Sequence, residues 1–157
     1  MAYRTRRRGF VMSAVAAGVF LAAHNSNAAA GHGAPAKAPA QAIAYAQQQI
    51  GLPYLWGGTG PGAFDCSGLV MEAYASAGVH IARTSQDQWA TEPHVPSPQP
   101  GDLVFYPGAD GTWTSPGHVA LAVGGGQMIE AYGTGYPIRE VPIRSGAVGY
   151  TQPWGGA

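Results

Sequence analysis

The chain has 157 residues, of which 46% are hydrophobic and only 10% charged, with 24 glycines and 13 prolines. That length accommodates one ordinary domain around one core, and the composition excludes widespread disorder while suiting a turn-rich globular fold. Eight Lys+Arg balance eight Asp+Glu overall, yet beyond residue 30 four basic residues face eight acidic ones, a net charge of −4, which excludes a basic stripe for nucleic acid.

At the N-terminus, Arg4, Arg6, Arg7 and Arg8 precede an uncharged, mostly apolar stretch over residues 9–23, and the small-residue run Ala28-Ala29-Ala30 follows. This is the layout of a signal peptide over residues 1–30. About 15 apolar residues are short for a span of roughly 20, which favours export over a membrane anchor. The mature chain is therefore expected to be secreted or extracytoplasmic, without stable membrane insertion. Arg7-Arg8-Gly9-Phe10-Val11 is similar to a twin-arginine export signature; a general Sec signal with extra arginines looks alike, and both lead out of the cytoplasm. Residues 31–40 are Ala/Pro/Gly-rich with one charge, Lys37, and read as a linker to a working domain over residues 41–157.

Within that domain, residues 40–50 are good helix formers with Ile43, Ala46 and Ile50 at spacings of three and four, stopped by Gly51 and Pro53. The glycines of Trp56-Gly57-Gly58-Thr59-Gly60-Pro61-Gly62 require a loop. Residues 66–77 form a second predicted helix, with an apolar stripe of Leu69, Val70, Ala73 and Ala77, Asp65 or Ser67 at its cap, and Gly78 as terminator. A connection rich in proline (Pro93, Pro96, Pro98, Pro100) leads to four predicted strands at residues 103–106, 118–123, 127–132 and 140–143. Helices followed by an antiparallel sheet describe an α+β fold.

Cys66 is the sole cysteine, so it cannot take part in an internal disulfide. An inert buried thiol is one explanation. Its place in the first turn of a helix offers another, because the positive end of the helix dipole favours thiolate and can bring a thiol pKa into the range of roughly 3.5–7.5. A thiolate nucleophile needs a base to set its ionisation and to protonate the leaving amine. His32, His80 and His94 fall in the linker, at a helix end and in the proline-rich connection, and no histidine or cysteine has metal-ligand spacing. His118 opens an apolar strand directly after Pro116-Gly117, where its side chain would face a cleft at the sheet's end.

A base histidine is commonly oriented by a third polar group. Glu130 interrupts the apolar run Met128-Ile129 and Ala131-Tyr132, where an unpartnered charge is rare. If Gly124-Gly125-Gly126 is a three-residue hairpin loop, Val123 faces Gln127, Ala120 faces Glu130, and His118 is Glu130's diagonal neighbour on the same face. A two-residue loop without a bulge would put Glu130 on the opposite face, and an exposed Glu130 at a sheet edge is the alternative.

Asp65-Cys66-Ser67-Gly68-Leu69-Val70, Pro100-Gly101-Asp102-Leu103-Val104-Phe105 and Gly117-His118-Val119-Ala120-Leu121-Ala122-Val123 resemble the motifs of the NlpC/P60 cysteine peptidases, as do Pro53-Tyr54-Leu55-Trp56-Gly57-Gly58 and Arg83-Thr84-Ser85. The resemblance runs from about residue 40 to the C-terminus. It implies a papain-like α+β core and hydrolysis of amide bonds in peptidoglycan stem peptides, typically between D-glutamyl or D-isoglutaminyl and a diamino acid. It also implies Cys66 as nucleophile, His118 as base and Glu130 as orienting residue, with Tyr54, Asp65, Ser67 and Arg83 lining the substrate cleft. Many family members carry His at the third position, so Glu130 departs from the commonest pattern. No metal or organic cofactor is implied, and a wall-associated monomer is expected. A related Cys/His amidase or acyltransferase, or a catalytically silent wall-binding module, are the rival readings.

Overall fold

The computed structural model describes residues 37–155; the expected signal peptide and most of the expected linker lie outside them. Three helices, α1 (Ala38–Gln48), α2 (Cys66–Ser76) and α3 (Ser85–Thr91), precede or flank the strands β1 (His94–Val95), β2 (Leu103–Tyr106), β3 (His118–Gly124), β4 (Gln127–Glu130), β5 (Arg139–Pro142) and β6 (Gly149–Thr151). The strands form one sheet in the order β1-β6-β2-β3-β4-β5, with every neighbouring pair antiparallel. The α+β class and the four longer strands follow the sequence pattern closely.

Period-two alternation gives each sheet face its own core. Leu103, Phe105, Val119, Leu121 and Ile129 pack against Ala42 and Ala46 of α1 and Leu69, Val70, Ala73 and Tyr74 of α2. The other face carries Val104, Tyr106, Ala120, Ala122 and Met128 under Val141, Ile143 and Tyr150. β2 is buried on both faces, which explains its unbroken apolar run.

Several boundaries depart from expectation. α1 begins at Ala38, so residues 38–40, expected in the linker, are helical; Pro39 sits in the first turn, where its missing N–H costs nothing. The predicted strand over 127–132 ends at Glu130, and that over 140–143 begins one residue earlier, at Arg139. α3 had no predicted counterpart: it holds few apolar residues, and its start is set by Thr84, whose hydroxyl accepts from the Asp87 N–H at 3.2 Å. β1 and β6 also went unanticipated, being two and three residues long.

The β3–β4 hairpin corrects the expected loop. Gly124, rather than Val123, faces Gln127, leaving a two-residue turn of Gly125-Gly126, and a bulge at Val123 shifts the register. Gly124, Gly125 and Gly126 all have positive φ, at 97°, 60° and 72°, a run that only glycine adopts without strain. The bulge restores the residue that the shorter turn removes. Leu121 therefore faces Ile129 and Ala122 faces Met128, the register the three-residue loop would have given, with His118 and Glu130 on one face.

Candidate active site

Cys66 is the first residue of α2 and is partly exposed. Asp65 caps the helix, its Oδ1 accepting from the Gly68 N–H at 2.7 Å and its Oδ2 from the Gly57 N–H at 3.0 Å. The glycine-rich loop is thereby drawn onto the helix N-terminus, and Gly68 permits the approach: a Cβ there would lie 2.1 Å from the Gly58 carbonyl oxygen. The Cys66 Sγ lies 3.9 Å from the carbonyl oxygen of Gly117, the residue before His118. Helix start and strand start thus meet at the sheet's end.

His118 Nε2 makes a 2.9 Å hydrogen bond with Glu130 Oε2, which leaves the other ring nitrogen for the thiol. Burial pulls the imidazole's pKa down, but hydrogen bonds to Cys66 and Glu130, together with their charges, outweigh it and push it up to about 9. Glu130 is wholly buried. Burial alone would raise its pKa, yet hydrogen bonds from His118 and Arg144 and their charges bring it down to about 2. The exposed-edge alternative for Glu130 is excluded by this burial and by β5, which pairs along its outer side.

Two arginines complete the Glu130 environment. Arg139, directly opposite Glu130 in the β4–β5 ladder, donates to Oε1 from Nε at 3.3 Å and Nη2 at 3.0 Å. Arg144 forks across the carboxylate, with Nη1 to Oε1 and Nη2 to Oε2, both at 2.8 Å. Sequence reasoning missed both residues. The need for a partner was legible, because a charge within an apolar strand requires one and only three arginines remain beyond residue 30, but nothing local places Arg144 at Glu130.

Tyr54, Trp56, Cys66, Asp110 and Gly117 stand at the junction of two open cavities, of about 470 and 480 Å³. One continues past His118, Tyr106, Tyr132 and Arg144. The other continues past Asp65, Ser67 and Arg83. There, Arg83 donates from Nη1 to Asp65 Oδ1 at 3.0 Å and to Ser67 Oγ at 2.9 Å, and from Nη2 to Asp65 Oδ2 at 2.6 Å. Burial, and then the negative charges of Cys66 and Asp65, raise the Tyr54 phenol's pKa. Six of the seven residues singled out from the sequence therefore line these adjoining cavities, and the seventh, Glu130, is wholly buried and reaches them only through its bond to His118. Every ion pair among the described residues lies there too, on Asp65 or Glu130.

A helix-borne cysteine facing a histidine and a carboxylate on an antiparallel sheet defines the architecture as papain-like. Residues 51–153 match the family model described as "NlpC/P60 family", and the chain belongs to that family. It is 44% identical over 95 residues to the "Probable endopeptidase p60" of Listeria monocytogenes, an alignment covering 59% of this chain and 19% of that protein. It is 41% identical over 123 residues to "Peptidoglycan endopeptidase RipB" of Mycobacterium tuberculosis, covering 66% of this chain and 49% of the relative. The solved structure of the peptidoglycan hydrolase RipB from Mycobacterium tuberculosis superimposes with a TM-score of 0.65 at 36% identity, over 77% of this chain and 66% of that one. The chain thus spans about a fifth to a half of the length of these two sequence relatives.

Proposed function

We propose that the chain is an exported cysteine endopeptidase that hydrolyses amide bonds in peptidoglycan stem peptides, at the bond between D-glutamyl or D-isoglutaminyl and a diamino acid. The observation that carries this reading is the meeting of Cys66 with a buried His118–Glu130 pair at the junction of two cleft arms. A groove open on both sides of the thiol suits an extended substrate cut internally. The names of the relatives supply the substrate class.

The cycle starts from the Cys66 thiolate beside a protonated His118. The Cys66 thiolate attacks the carbonyl carbon, and the carbonyl electron pair moves onto oxygen. The N–H of Cys66, in the first helical turn and without an intrahelical acceptor, stabilises that oxyanion. As the tetrahedral species collapses, the C–N bond breaks and His118 gives its proton to the departing amine. Neutral His118 then takes a proton from water, whose hydroxide displaces the thiolate from the thioester, and the imidazolium returns. Because His118 serves the amine, the leaving group belongs in the arm lined by Tyr106, Tyr132 and Arg144, and the acyl portion in the arm of Asp65, Ser67 and Arg83. Tyr54 borders both arms.

Mass spectrometry of digested muropeptides tests the reading. Stem-peptide fragments ending in D-glutamate or D-isoglutamine are expected, and Cys66→Ala should abolish both their release and iodoacetamide labelling while keeping the fold. Turnover by Cys66→Ala would overturn the nucleophile assignment. Release of an amine without a stem-peptide fragment would favour an amidase or acyltransferase, and binding without any product a silent wall-binding module.

A further inference from the structure

Glu130 receives more than an orienting carboxylate needs. Its two oxygens accept from His118, Arg139 and Arg144, and the two arginines are not equivalent: Arg139 touches Oε1 alone, whereas Arg144 reaches both oxygens. Oε2 is therefore shared between His118 Nε2 at 2.9 Å and Arg144 Nη2 at 2.8 Å, two cationic donors on one oxygen. Arg144 is itself fixed: its backbone N–H donates to the Tyr106 hydroxyl at 3.0 Å, that hydroxyl donates to the Arg144 carbonyl at 3.1 Å, and its guanidinium lies 4.8 Å from the Tyr106 ring centroid and 5.4 Å from that of Tyr132. Arg139 stacks at 4.9 Å on both Tyr132 and Tyr136.

From this geometry we infer that the third member of the site is a carboxylate–arginine unit, in which Arg139 anchors Glu130 and Arg144 competes with His118 for Oε2, limiting how tightly Glu130 holds the imidazolium. The inference rests on the reading of Cys66, His118 and Glu130 given above. Arg144 acts through Glu130 and is a positioning and tuning residue. A guanidinium on the oxygen that accepts from His118 drains electron density from that hydrogen bond and repels the imidazolium. Losing it would leave Glu130 in place, since Oε1 keeps both bonds from Arg139 and the strand keeps its pairing with β5. His118 would then hold its proton more strongly and release it less readily to a leaving amine. The other ionisable groups facing this pair are Cys66 from α2, Tyr106 from β2, Tyr132 beyond β4, and Tyr54 and Asp110 across the cleft.

The test is an NMR titration of the His118 imidazole in the full chain carrying Cys66→Ala, with and without Arg144→Met, beside the pH profile of muropeptide hydrolysis with Cys66 intact. Arg144→Met should raise the His118 midpoint by about half a unit, modest because Arg144 is partly exposed and screened. The alkaline limb of kcat/KM should rise with it and kcat fall several-fold, while KM moves less than twofold. Glu130→Gln should shift the midpoint the opposite way. If Arg144→Met does not fold, Arg144→Gln removes the charge while keeping a donor and answers the same question. A midpoint that stays put or falls overturns the inference, because a purely structural arginine would lower activity at every pH without raising the titration. A rise in KM at constant kcat also overturns it, in favour of direct substrate binding. The expected NMR shift in a protein that hydrolyses no muropeptide would sink the proposed function and leave this electrostatic arrangement standing.

Discussion

Replacing Glu130 by glutamine removes one negative charge from a fully buried site where three cationic groups converge. Stability should therefore become both lower and less dependent on pH. His118 has its pKa raised from 6.5 to about 9, so its contribution is fully present below pH 6.5 and is lost as pH rises through about 9. Glu130 has its pKa lowered from 4.5 to about 2, so its contribution is present above pH 4.5 and is lost as pH falls through about 2. Each shift corresponds to on the order of 3 kcal/mol. Both figures contain the same His118–Glu130 contact, so they are not added. The native chain should be most stable between about pH 4.5 and 6.5 with respect to this pair.

Urea unfolding at pH 5.5 and 9.5 measures the effect. At pH 5.5, Glu130→Gln should cost on the order of 3 kcal/mol, the usual consequence of removing one partner from a buried ion pair. Between pH 5.5 and 9.5 the native chain should lose stability, and the variant should lose half as much or less. The part that remains comes from Cys66, which also favours the imidazolium. Parallel stability profiles for the two proteins would refute the assigned coupling, since the pH dependence would then originate elsewhere.

Two further substitutions test the cleft. Gly68→Ala would ordinarily favour a helix by about 1 kcal/mol, but here the new methyl meets the Gly58 carbonyl oxygen at 2.1 Å. A net loss of about 2 kcal/mol is expected from overpacking; thermal unfolding at or above the native temperature would contradict the close approach. Arg83→Lys keeps the charge but cannot span both Asp65 oxygens and the Ser67 hydroxyl. The KM for muropeptides should rise several-fold while iodoacetamide still labels Cys66 at the native rate, and an unchanged KM would remove Arg83 from the substrate arm.

The residues legible in the sequence share a physical trait: each announces itself locally. A cap at Asp65 or Ser67 follows locally from the helical apolar stripe behind them, and Asp65 is the residue that fills it. His118 follows Pro116-Gly117 at the start of an apolar strand, which places it at a sheet end before any tertiary contact is known. Glu130 was legible as an anomaly, a charge in an apolar run, but its face depended on the hairpin. There the number of turn residues misled while the register survived, because the bulge at Val123 offset the shorter Gly125-Gly126 turn. α3 stayed hidden because its burial rests on Gln88, whose amide donates to the Ser67 and Ala82 carbonyls, rather than on an apolar stripe. Arg139 could have been reached by extending the pairing one strand further, to a β5 that begins at Arg139 instead of residue 140. Arg144 could not: it lies beyond the end of β5, and its approach to Glu130 depends on the Tyr106 hydroxyl holding its backbone from a strand 38 residues earlier. What the chain conceals is how Glu130's charge is neutralised. That arrangement arises only when β2, β4, β5 and the segment after β5 are brought together, and no local pattern in any one of them specifies it.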